Sequence, residues 1–242
     1  MARTSADKYR LLLLAAATIF ISSCGIFITV DKPNNLNPIL VFGDGASFLD
    51  NVSTLAIKGR IEFKEGQATT QSGSFQLFLN GPDSASFLIE GPFGADAFKM
   101  VILGDAANIL TDEGWGHLNR GENIEFAEYG ISNISPFLIG PIIFPQYYPT
   151  KLGQVGNTGH LTIEIAGTHF FSDPSRYGGS FDLFEPQSGL LAGYADRKNI
   201  ARGFYPSYIE VCNPVSGDWR IILKITRIKA NADIPPDVWA TD

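Results

Sequence analysis

Leu55-Ala56-Ile57-Lys58-Gly59-Arg60-Ile61-Glu62-Phe63 is the stretch that decides the fold class. Leu55, Ile57, Gly59, Ile61 and Phe63 alternate with Ala56, Lys58, Arg60 and Glu62. Successive side chains on a strand point to opposite faces, so a period of two gives one apolar face and one wet face. A helix would show spacings of three and four instead. The stretch predicts a half-buried strand in an antiparallel sheet.

The same period recurs outward in both directions. Phe75, Leu77 and Leu79 alternate with Gln76, Phe78 and Asn80, after a polar turn at Gly66–Ser72 and before a break at Gly81-Pro82-Asp83. Phe87–Glu90, Phe98–Leu103 and Asn108–Leu110 are predicted short strands, punctuated by Gly91-Pro92 and Gly104-Asp105. Near the other end, Leu161, Ile163 and Ile165 oppose His160, Thr162 and Glu164. Phe181–Phe184, Leu190–Tyr194 and Tyr208–Cys212 follow as strands. Trp219, Ile221, Leu223 and Ile225 against Arg220, Lys224 and Thr226 close the series. Regular short strands with turn punctuation favour one sheet that closes on itself or on a helix.

The middle breaks the rhythm. His117–Tyr129 is polar and is expected to be helical. Ile131–Pro149 is apolar but crossed by Pro136, Pro141, Pro145 and Pro149. Proline at that spacing forbids a long helix and disfavours a central strand. The apolar side chains there are Phe137, Leu138, Ile139, Ile142, Ile143, Phe144, Tyr147 and Tyr148. Two readings stay open: a buried core plug, or a movable lid over an apolar cavity. Gly153–Gly159 is expected as a polar loop and Ala46–Thr54 as a short helix.

At the N-terminus, Arg3, Lys8 and Arg10 precede an apolar run from Leu11 to Ile21. That is the pattern of an export signal, and the run is short for a membrane-spanning helix. Ile21-Ser22-Ser23-Cys24 resembles the lipobox of bacterial lipoproteins, which implies cleavage before Cys24 and acylation, palmitate included, at that thiol. The expected organisation is a signal at 1–23, a lipid-anchored tether at 24–46 rich in Pro and Asn, and one domain at 47–242.

The full chain has 18 basic and 25 acidic residues, a net of −7. Removal of residues 1–23 takes away Arg3, Lys8, Arg10 and Asp7, leaving 15 basic and 24 acidic residues and a net of −9. An acidic body argues against a nucleic-acid partner. It also argues against electrostatic adhesion of the body to anionic lipid, which would leave anchoring to the acyl chains. With Cys24 acylated, Cys212 has no partner for an internal disulfide and is expected as a small core residue.

No constellation of catalytic or metal-ligating residues stands out. His117, His160 and His169 have no metal-ligand spacing, and Cys212 lacks a CxxC partner. Gly43-Asp44-Gly45-Ala46-Ser47 is similar to the GDS start of a lipolytic hydrolase, but the Ser sits two residues too late. No Asp-x-x-His follows near the C-terminus. Phosphate-loop and dinucleotide-binding glycine motifs are missing. The chain is therefore expected to be no enzyme, with no cofactor and no metal. Gly91-Pro92-Phe93-Gly94 instead puts a large ring at a tight turn. Phe93 either folds back on the core or projects as an apolar tip.

Four stretches in order resemble the LolA/LolB superfamily of lipoprotein carriers and its lipoprotein relatives. They are Leu55–Ile61, Ser86–Gly94, Leu183–Leu190, and Tyr205–Glu210 followed by Leu223–Asn231. The resemblance implies a mainly β fold, a half-open antiparallel barrel covered on its concave apolar face by a few helices and loops. It implies that this face binds acyl chains, with Phe137, Leu138, Ile142, Ile143, Phe144, Tyr147 and Tyr148 as lid or ligand contacts. Phe93 takes the place of the side chain that delivers cargo to the membrane. The implied partners are acylated lipoproteins and a periplasmic LolA-like carrier, at the periplasmic face of the outer membrane. Gly25 after Cys24 agrees with outer-membrane sorting. The alternative is a structural or interaction lipoprotein of the envelope that carries no lipid cargo.

Overall fold

The computed structural model describes residues 41–42, 49–91, 96–111, 114–126, 131–154, 161–172, 181–200, 203–214 and 219–241. The N-terminal arm contributes strands β1 (Thr54–Glu65), β2 (Ala68–Asn80), β3 (Ser84–Glu90), β4 (Asp96–Leu103), β5 (Ala106–Thr111) and β6 (Gly114–Asn119). A small hairpin follows, β7 (Ile124–Phe126) and β8 (Ile131–Ile134). The C-terminal arm comprises β9 (Thr150–Gln154), β10 (Leu161–Ile165), β11 (Thr168–Ser172), β12 (Phe181–Glu185), β13 (Leu190–Ile200), β14 (Gly203–Cys212) and β15 (Trp219–Ala230).

Thirteen strands form one sheet in the order β6-β5-β4-β3-β2-β1-β15-β14-β13-β12-β11-β10-β9. Each arm is a meander of hairpins, and the arms join where β1 pairs antiparallel with β15. Open sheets rarely exceed about ten strands without curling, because each strand twists against its neighbour. Edge strands β6 and β9 do not pair, so this sheet curls without closing. The half-open antiparallel barrel that the resemblance implies is the fold observed.

The core lies on the concave face and draws on both arms, from Leu55, Ile57, Phe75 and Leu77 to Ile163, Phe181, Tyr194 and Leu223. Alternation places it there: Leu55, Ile57 and Ile61 are buried while Lys58 and Arg60 are exposed. Gly59 sits on the apolar side of β1, and a Cβ there would strike the Phe75 ring and the Lys224 carbonyl oxygen. Its missing side chain lets Phe75 cross β1. A bulge at Lys58/Gly59 shifts the β1–β15 register, and the extra residue, Thr226, donates from Oγ1 to the Lys58 carbonyl at 3.1 Å. On the convex side, the C-terminal residues fold over β3 and β4. Ser86 Oγ donates to Val238 O at 3.0 Å, and Lys99 Nζ donates to Ala240 O at 2.9 Å.

Three local expectations need correction. His117 and its neighbours are strand, not helix: β6 pairs with β5 through Asn108↔His117 and Leu110↔Trp115. An edge strand wetted on much of its surface shows little apolar alternation, so its polarity hid it. The turn expected at Gly66–Ser72 is only Gly66-Gln67, because Glu65 already pairs with Ala68. The first half of β2 is exposed on both faces and carries no pattern to read. β9 takes Gly153 and Gln154 from the expected loop. Of the short helix expected over 46–54, Leu49 is in 3-10 conformation and runs into a turn closed by Val52 N–H donating to Leu49 O at 2.9 Å, residues 46–48 lie outside the described residues, and β1 starts at Thr54.

Candidate ligand site on the concave face

Chain order dictates how the concave face is filled. The N-terminal arm ends at edge strand β6 and the C-terminal arm starts at the opposite edge, β9. The connection must therefore cross the sheet, and an apolar connection gains most by crossing on the concave side. Residues 135–149 make that crossing. Pro136–Leu138 and Pro145–Tyr147 are single 3-10 turns, each started by proline, and between them lies helix α1 (Ile139–Ile143). Proline suits a first helical position, since its missing N–H would go unpaired there. The same prolines keep every helical piece short.

The crossing segment plugs the barrel. Leu138, Ile142, Ile143, Phe144 and Tyr148 are buried, Phe144 fully, and all belong to the common core. Phe137 and Tyr147 are half-buried and pack against it. The Phe144 ring lies 6.4 Å from the Tyr205 ring, and Tyr147 meets Tyr148 edge-on at 5.8 Å. Gly140 is where α1 admits the Tyr148 hydroxyl, which would collide with a Cβ. All seven residues that the sequence singles out in this stretch converge on the concave face, as parts of a plug. Cys24 and Phe93 lie outside the described residues.

Polar contacts between described residues tie the plug down at several points. Tyr194 OH donates to Ile142 O at 2.8 Å. Gln146 Nε2 donates to Phe204 O at 2.9 Å and to Val41 O at 3.4 Å, while its buried Oε1 has no partner among the described residues. Tyr147 OH donates to Ser53 O and accepts from Gly81 N–H. Burial pushes the Tyr194 and Tyr148 hydroxyls well above the usual tyrosine pKa, and for Tyr148 the neighbouring Tyr147 and Asp83 add to the effect. Both hydroxyls stay neutral at any physiological pH, and that of Tyr194 remains a donor. Sequence reading missed Tyr194, Gln146 and Tyr205. A tyrosine in an otherwise apolar strand was the available signal for Tyr194. A lone Gln between Pro145 and Tyr147 offers none.

At the barrel mouth a pocket of about 210 Å³ remains. It lies between the β2–β3 turn at Pro82 and Asp83, the plug at Phe137, Gly140 and Tyr148, and Ala166 of the β10–β11 turn. Arg120 covers its rim. The guanidinium pairs with Asp105 at 2.6 Å and stacks 4.6 Å over the Phe137 ring. Pockets for drug-sized ligands run to about 300–1,000 Å³, so this one is smaller than such a ligand needs.

The histidines lie elsewhere. His117 is exposed on β6, with Nδ1 3.0 Å from Asn108 Oδ1. His169 is exposed on β11 opposite Glu164, whose carboxyl is held below the usual range chiefly by a hydrogen bond from Lys151. His160 and Ser47 are outside the described residues. Among those described, no group of His, Cys, Asp and Glu is placed to hold a metal ion. Cys212 is a fully buried thiol.

No protein-family description matches the chain, and no curated protein matches it in sequence. Similar solved structures include a DUF1329 family protein from Desulfovibrio piger, with TM-score 0.49 and 10% identity over 85% of this chain and 98% of that one. They include the LolA superfamily protein NE2245 from Nitrosomonas europaea, with TM-score 0.48 and 10% identity over 83% and 96%. A Vibrio parahaemolyticus domain named for outer membrane lipoprotein sorting has TM-score 0.44 and 9% identity over 83% and 95%. These are likenesses of fold.

Proposed function

We propose that this protein is a lipoprotein of the outer membrane, acylated at Cys24, that binds acyl chains on its concave face and receives or inserts lipoproteins there. The role is binding without catalysis. The observation that carries it is the plug: an apolar, proline-broken segment lies in a sheet that does not close, tied by a handful of neutral hydrogen bonds. Such a segment stands where an acyl chain would lie and can exchange with one. Each CH₂ moved from water to an apolar site gains about 0.8 kcal/mol. A multi-chain lipid therefore crosses water slowly unless carriers pass it between matched apolar sites. In this reading Phe93 reaches the bilayer at delivery, and a periplasmic LolA-like carrier supplies the cargo.

The test uses residues 24–242 with Cys24→Ala, so that no anchor competes for the site. The protein is mixed with an acylated lipoprotein on its periplasmic carrier and followed by native mass spectrometry and hydrogen exchange. Transfer of cargo, with faster exchange across 136–148 on loading, is expected. Phe93→Glu should leave uptake intact and slow release into vesicles. If no cargo is retained and exchange of the plug does not change, the protein is an interaction lipoprotein and the carrier reading is wrong.

A further inference from the structure

One wall of the convex face concentrates positive charge. Lys58 on β1 lies directly opposite Arg227 on β15, Arg60 opposite Lys224, and Ala56 opposite Lys229. Directly opposed residues project to the same side of a sheet, with Cβ atoms about 4.5–5.5 Å apart. Ile57, Leu223 and Ile225 occupy the other face, in the core, and all five cations are exposed. The bulge at Lys58/Gly59 brings Arg227 and Lys229 to this side, since it restores the alternation with Ile228 pointing inward.

Like charges in direct opposition weaken a sheet, and here two such pairs stand side by side. Glu62 takes Lys224 at 2.7 Å. Glu210, on β14, is engaged by Arg220 at 3.4 Å. Glu90, two strands from Arg60, accepts from Ser74 Oγ and Gln76 Nε2 at 2.9 Å each. Lys58, Arg60, Arg227 and Lys229 are left without an ion pair among the described residues. This happens in a chain of net charge −7, where carboxylates outnumber cations.

We propose that this wall is a docking surface for an anionic phospholipid bilayer. A protein partner of comparable affinity would need a desolvated aromatic or aliphatic anchor at the centre. Among the described residues, the exposed large apolar ones are Leu103, Leu152 and Phe171, none of them on β1 or β15. Dispersed cations with no groove and no apolar anchor suit a plane of anionic headgroups, where charge alone suffices. Net charge does not forbid this, because the field within a Debye length is set by the nearest groups. The wall also adjoins the end of the barrel where Tyr147 bonds Ser53 and Gly81, so docking would bring the mouth of the plug to the lipid. The proposal goes beyond the carrier reading and does not require the concave face to hold any ligand.

The experiment compares the full chain carrying Cys24→Ala, which has no acyl anchor, with the same chain bearing Lys58→Gln, Arg227→Gln and Lys229→Gln. Each is sedimented with vesicles of phosphatidylcholine alone or mixed with phosphatidylglycerol, at low and high salt. The signal segment is common to both proteins and cancels. Each cation near an anionic surface is worth about a fivefold change in binding, so the triple variant should lose about a hundredfold of the preference for anionic vesicles at low salt. Its thermal midpoint should be unchanged or higher, since the Lys58–Arg227 opposition is relieved. An unchanged preference, or no preference in either protein, overturns the proposal. So does capture of an acidic envelope protein by the wall with no effect on vesicle binding, which would make it a protein interface.

Discussion

Tyr194 shows what a single hydroxyl does inside an apolar barrel. Its ring stacks on Phe181 at 4.5 Å, and its OH donates to Ile142 O at 2.8 Å. Tyr194→Phe keeps the shape but leaves a buried carbonyl without its donor, which costs about 1–3 kcal/mol. The loss should fall on docking of the plug, so amide exchange across 139–143 is expected to quicken more than that of β1. Equal changes in both would mean that the plug is no weaker than the sheet. Gln146 carries a related lesson. One of its amide atoms bonds two carbonyls, while the other is buried with no partner among the described residues, which offsets part of what the two bonds contribute. Apolar residues such as Phe144 were legible because hydrophobicity is a property of the residue itself. Gln146 was not, because its meaning lies in Phe204 and Val41, far away in the chain.

At the scale of elements, β1 and β15 form the seam that joins the two arms. The seam depends on Gly59, which leaves room for the Phe75 ring beside the Lys224 carbonyl. Gly59→Ala forces backbone or ring to move, and overpacking of this kind costs about 1–3 kcal/mol. A lowered urea midpoint is the expected result, and an unchanged midpoint would show that the ring yields freely. The long paired strands were legible wherever one face is wet and the other dry. β6, β9 and the first half of β2 were not, since edge and ribbon strands are wet on both faces and leave no period. The crossing segment was legible in what it could not be: its prolines excluded a long helix and a central strand. Whether it served as plug or lid could not be read locally, because one segment can do both.

For the whole molecule, ionisation sets an alkaline limit. Tyr194, Tyr148 and Tyr208 all have pKa values raised by burial, and Tyr208 additionally by Glu210. In the unfolded chain each ionises near the ordinary value of about 10. Below that pH both states keep the proton and the full stabilisation is present. Above it the unfolded chain loses protons that the folded one retains, so stability falls as pH rises. Thermal midpoints measured from neutral to strongly alkaline pH should stay level and then drop beyond about pH 10, with the drop smaller in Tyr194→Phe. A midpoint that held level throughout would contradict the burial of these hydroxyls. By itself the sequence determined the strand class, the apolar face of each long strand and the proline-broken crossing, because period and backbone chemistry act over a few residues. Period and local chemistry left open whether the sheet closes; beyond what the resemblance implied, tertiary structure decided that it stays open, that the crossing fills its concave side, and that cations from β1 and β15 share one wall. Lys58 and Thr226 meet across 168 residues: alternation says which way a side chain points, and only strand pairing says what stands beside it.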